Sequence, residues 1–121
     1  MAFDDMEVIM YKVLRYLYAC NKEGRYPAFE DYCYNGKMFH VPQSYWNQVI
    51  RQIIKKGYVD GFAVITTKDQ EVIQPTQPQI TFDGIQFLKE NSRMKAVENF
   101  LGNAFEIVLQ SMVAALVKKE F

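Results

Sequence analysis

Residues 57–92 read GYVDGFAVITTKDQEVIQPTQPQITFDGIQFLKENS, and no other stretch narrows the fold as much. Tyr58 to Thr66 is β-branched and aromatic, with Gly61 where a bulge would fall. Lys68 to Gln79 is polar, carries Pro75 and Pro78, and reads as a tip and return, with Val72 and Ile73 in the returning strand. Ile80, Thr81 and Phe82 complete that strand and run straight into a helix. Thr81 or Asp83 is its expected cap, and Ile85, Phe87 and Leu88 are its apolar positions. Two antiparallel strands around a polar tip, with a helix on either side, make the hairpin of a winged helix–turn–helix.

The helix before the hairpin is PQSYWNQVIRQIIKKG. Pro42 suits its first position, where a missing N–H costs nothing. Trp46, Val49, Ile50, Ile53 and Ile54 form one apolar face, and Gly57 stops the helix. The opposite face holds Ser44, Tyr45, Asn47, Gln48, Arg51, Gln52 and Lys55, and Lys56 follows. Between Gln43 and Gly57 there is no acid at all. The opening helix has Asp4 as N-cap, Glu7 completing a capping box, and Phe3 against Val8 as a staple. Its apolar stripe is Met6, Ile9, Met10, Val13, Leu17 and Cys20, and it ends by Gly24. Residues 24–42 are aromatic but aperiodic. Ala28 to Tyr32 allows a turn or two of helix, Asn35-Gly36 is a turn, and Met38, Phe39 and Val41 form a short strand or cover the core.

The fold class expected is therefore α+β, mainly α: a winged helix over residues 1–92 and a long extra C-terminal helix over 93–121. That helix, Met94 to Val117 with Gly102 as a soft point, has one seam of Val97, Leu101, Ala104, Val108, Met112 and Ala115. Apolar residues also fall on its other faces, so it needs cover on more than one side. The expected cover is a second copy of the chain, with Val97, Phe100, Leu101, Phe105, Val108, Leu109, Met112 and Leu116 as the dimer interface. The alternative is the first helix of the same domain.

The opening helix MEVIMYKVLRYL, the tryptophan of SYWNQVIRQIIKKGYVDG and above all QITFDGIQFLKENSRMKA carry a family resemblance. The chain resembles the YjcQ-like winged-helix proteins of Gram-positive bacteria and their prophages. Phe87 stands where that strand-then-helix block has tyrosine. The resemblance implies a winged-helix fold and a phage or prophage setting, and it brings no activity and no catalytic residue.

Composition excludes several function classes. Lys and Arg number 14, Asp and Glu 14, so the net charge is zero and any basic surface must be local. Cys20 and Cys33 are thirteen apart, without a C-x-x-C, and read as buried thiols of a reducing compartment. No basic-then-apolar leader opens the sequence. Ala104 to Val117 is broken by Glu106, Gln110 and Ser111, too short and polar for a bilayer. A soluble cytoplasmic protein without membrane contact is expected. His40 is the only histidine and reads as structural. Asp4 and Asp5 read as capping residues, and Glu30 and Asp31 as solvated. Neither phosphate-cradling glycine motif is present. The expectation is a non-enzyme with no catalytic residue, cofactor or metal.

Two binding roles remain. Double-stranded DNA is favoured by Ser44, Tyr45, Asn47, Gln48, Arg51, Gln52, Lys55 and Lys56, since Asn, Gln and Arg can pair with base edges. A dimer would present two such helices to two half-sites. Against it stands the wing, where Asp60, Asp69 and Glu71 outweigh Lys68. The other role is an adaptor for a phage or host protein, with tyrosines among Tyr26, Tyr32, Tyr34 and Tyr45 as interface anchors.

Overall fold

The computed structural model describes residues 5–119. Phe3 and Asp4, assigned above to a staple and a cap, lie outside the described residues. The elements run α1 (Asp5–Glu23), α2 (Phe29–Tyr32), α3 (Gln43–Lys55), β1 (Val59–Thr66), β2 (Glu71–Ile80), α4 (Phe82–Glu90) and α5 (Ser92–Ala114). The architecture is α+β and mainly helical, a winged helix with one two-stranded antiparallel sheet.

One core joins all the helices and the base of the wing. From α1 come Ile9, Val13, Leu14, Tyr16 and Leu17, and from α3 Trp46, Val49, Ile50 and Ile53. Val59, Ile73 and Ile80 come from the strands, and Leu88 from α4. The apolar face assigned to α3 is thus turned inward, with Ile54 at its margin. Pro42 occupies the N-cap, one residue before the expected position, because its extended ψ of 144° lies outside the helix. Trp46 Nε1 donates to the carbonyl of Tyr32 at 2.9 Å, which ties α3 to the end of α2. Met38 is buried, and Phe39 and Val41 cover the core without forming a strand.

The hairpin is longer than its composition suggests. Pro75 and Pro78 belong to β2 rather than to the tip, which spans only residues 67–70. A two-stranded ribbon is all edge, so a missing N–H is tolerated. Asp60 pairs with Gln79 but Phe62 with Pro75, so Gly61 alone faces Thr76, Gln77 and Pro78. Gly61 has φ +82°, and a methyl there would run into the Gln77 carbonyl. Thr81 caps α4 by accepting from the Gly84 N–H at 3.1 Å. Phe82 is the first residue of α4 rather than the last of the strand, and it is exposed.

The C-terminal helix departs most from expectation. Gly102 takes φ +65° and ψ −159°, which breaks α5 into two arms. The helix restarts after a residue that did not complete its share of the turn. Its inward positions are therefore Phe105, Leu109 and Val113, each one later than the expected Ala104, Val108 and Met112. These pack within the chain's own core, as do Met94 and Val97 of the first arm. Arg15 of α1 adds a two-pronged pair to Glu106, at 3.2 and 2.9 Å. The dimer assignment is corrected accordingly: Val97, Phe105 and Leu109 are interior, and Leu101, Met112 and Leu116 are partly buried against the same core. Phe100 and Val108 remain at the surface, joined by Ile107, which is 70% exposed.

Beyond α5 the chain returns to the α1–α2 connection. Tyr26 N–H donates to the Val117 carbonyl at 2.9 Å, and Lys119 N–H to the Gly24 carbonyl at 2.7 Å. The short helix that follows, α2, carries two corrections. Asp31 is 2% exposed rather than solvated, and Tyr32 is 1% exposed rather than an interface anchor. The Tyr16 hydroxyl donates to Asp31 Oδ2 at 2.7 Å and accepts from the Ala28 N–H at 3.0 Å. Lys37 Nζ stands 3.3 Å from Asp31 Oδ1. Only Oδ2 is hydrogen-bonded; Oδ1 is enclosed without a hydrogen bond and faces the Lys37 ammonium, whose charge offsets part of the cost of burying the carboxylate. Cys20 and Cys33 are buried free thiols, and His40 lies at the surface. Among the described residues no helix is long and apolar enough to cross a membrane.

Candidate nucleic-acid interface

Burying Trp46, Val49, Ile50 and Ile53 settles where the rest of α3 points. Ser44, Gln48, Arg51, Gln52, Lys55 and Lys56 are all exposed, while Tyr45 and Asn47 are half-buried. Six of the eight predicted residues thus share one open surface, and the other two flank it. Among the described residues no carboxylate lies within the 4.0 Å ion-pair distance of Lys55 or Lys56.

The acid that α3 lacks is supplied by the wing. Glu71 opens β2 next to the middle of the helix. Arg51 Nη1 donates to Glu71 Oε1 at 2.8 Å, with the Arg51 side chain 49% exposed and the Glu71 side chain 26% exposed. One turn earlier, Asn47 Nδ2 donates to the Glu71 backbone carbonyl at 3.1 Å. Asn47 Oδ1 is enclosed and has no hydrogen-bond partner. Asn47 therefore serves as a strut between helix and wing. It cannot offer the paired donor and acceptor that adenine requires. A depression of 330 Å³ lies over this junction, lined by Gln43, Ser44, Asn47, Arg51, Gln70 and Glu71.

Sequence reasoning counted Glu71 only in the charge of the wing. Nothing local joins it to Arg51, twenty residues earlier; the contact exists because the hairpin folds back on α3. The rest of the wing is a poor phosphate surface. Ile65 and Val72 pair across the ladder and are both exposed, as is Val64. Asp60, Lys68 and Asp69 are also at the surface.

Residues 11–104 match the model of a family described as YjcQ protein. The chain belongs to the YjcQ family. No curated protein and no solved structure matches it. The YjcQ match takes in most of α1, all of α3, the hairpin, α4 and the first arm of α5. It stops two residues past Gly102, so nearly all of the second arm lies beyond it.

Proposed function

We propose that this YjcQ-family protein is a non-enzymatic DNA-binding winged helix of transcription-regulator type, working in a phage or prophage setting. One observation carries the proposal: α3 turns Ser44, Gln48, Arg51, Gln52, Lys55 and Lys56 to solvent together, with no acid of its own among them. Gln and Arg supply base-edge chemistry, and the lysines supply phosphate contacts. The net-acidic wing, with Asp60, Asp69 and Glu71 against Lys68, repels phosphate, so affinity depends on the helix. A homodimer through the exposed side of the second α5 arm would place two such helices on one duplex. Fluorescence anisotropy with random duplex at low and moderate salt tests the proposal. Binding should weaken steeply with salt and vanish when Arg51→Ala and Lys55→Ala are combined. No binding to any duplex in low salt, at roughly tens of micromolar protein, sinks it.

A second reading has its own support. Ile65 and Val72 sit exposed on the wing where a DNA-contacting hairpin would place cations. An adaptor that docks a phage or host protein through the wing, without DNA, fits that surface. It would leave the salt titration flat.

A further inference from the structure

An arginine reads guanine well only if its guanidinium is held edge-on to the base, since both O6 and N7 must be met at once. A free arginine on a helix surface carries much rotamer entropy and must lose it on binding. Arg51 is not free. One of its five donors, on Nη1, is given to Glu71 Oε1 at 2.8 Å, and Glu71 is itself held by Asn47 through its backbone carbonyl. Nε and Nη2 have no partner among the described residues, and half of the side chain faces solvent. An ion pair this exposed contributes little to stability, so its main consequence is orientation.

We infer that Glu71 is a positioning residue that presents Arg51 to a guanine, so that the recognised duplex carries a guanine in each half-site. The inference rests on the DNA-binding reading above and deepens it. Glu71 then acts with opposite signs on two quantities. Its negative charge, close to the phosphates, weakens binding to any duplex. Its grip on Arg51 sharpens the choice of base. Asn47 supports the wing and Glu71 but contributes no base contact, which leaves Arg51 as the oriented reader on this turn of the helix.

Duplexes enriched from a randomised library by the wild-type protein provide the probe. Anisotropy titrations then compare the enriched duplex, the same duplex with each guanine changed in turn to adenine, and a random duplex. For the wild type, one guanine per half-site should matter by about tenfold. Arg51→Ala should lose both that preference and affinity. Glu71→Ala, which removes both the charge and the acceptor, should lose the preference to within about twofold while binding random duplex as tightly as wild type or more so. Asn47→Ala keeps the carboxylate and should keep the preference, and thermal melting checks that every variant is folded. The inference is overturned if Glu71→Ala retains the preference, if it weakens all duplexes equally, or if Asn47→Ala abolishes the preference as fully as Glu71→Ala. A wild type that binds DNA but ignores every guanine overturns this inference alone. A wild type that binds no duplex overturns it together with the reading beneath it.

Discussion

Tyr16 shows how much one hydroxyl does here. It accepts from a backbone N–H and donates to a carboxylate that is 2% exposed, closing the only polar cluster described inside the core. Tyr16→Phe would orphan the Ala28 N–H and leave Asp31 with Lys37 alone. An unsatisfied buried group costs about 1–3 kcal/mol, and a urea titration should show a loss of that size. A loss near zero would mean that water or Lys37 takes over. Burial also pushes the Tyr11, Tyr16 and Tyr32 phenols well above their ordinary 10.0. It raises the Cys20 thiol from 9.0 to about 12. Each of these groups holds its proton more tightly folded than unfolded. Their stabilisation is complete below the unfolded values and is lost as pH climbs towards the folded ones. Stability should therefore show no loss from these groups through neutral pH and fall from about pH 9 upward. Melting temperatures measured from pH 7 to 11 check the sign, and an unchanged value across that range would contradict it.

At the scale of elements the decisive position is Gly102. Its φ of +65° with ψ of −159° is a region open essentially to glycine alone. Around it there is no steric obstacle, since nothing lies within 4 Å of where a Cβ would stand. Gly102→Ala therefore isolates the backbone effect. It should cost about 1–3 kcal/mol in a denaturant titration, because alanine would be strained in the backbone conformation that brings Phe105, Leu109 and Val113 against the core. If the variant is as stable as wild type, α5 tolerates a straight course and the one-residue shift of its seam has another origin. Gly61 answers to a different constraint, since there the Gln77 carbonyl leaves no room for a side chain.

For the molecule as a whole the open question is what covers the second arm of α5. Ala104, Ile107, Val108, Ser111, Ala114 and Ala115 are exposed along it. No charge interrupts them, in a chain that is 23% charged, and Glu106 is turned in to Arg15. A two-fold interface sets each residue near its own copy, and an uncharged face is one that can meet itself without repulsion. Light scattering at about tens of micromolar should give a dimer mass, in keeping with a helix-sized interface of modest area. Ile107→Glu should give a monomer with stability changed by no more than about 0.5 kcal/mol, as expected of a surface change. A wild-type monomer would remove the two-half-site geometry from the DNA reading while leaving α3 untouched.

What the sequence determined by itself was everything written in local periodicity. The inward face of α3, from Trp46 to Ile53, needed only the 3.6-residue repeat. The bulge at Gly61 needed only local turn chemistry, and capping chemistry narrowed the start of α4 to Thr81 or Asp83, of which the structure uses Thr81. The tertiary structure alone decided the contacts between segments far apart in the chain. Among them are the burial of Asp31 under Tyr16 and the arrival of Glu71 at Arg51. The second arm of α5 likewise packs against α1 of its own chain, through Phe105 against Tyr11 and Glu106 against Arg15. Periodicity reports which face of an element is apolar, but not which other element meets it. It also loses phase wherever a residue such as Gly102 interrupts the turn.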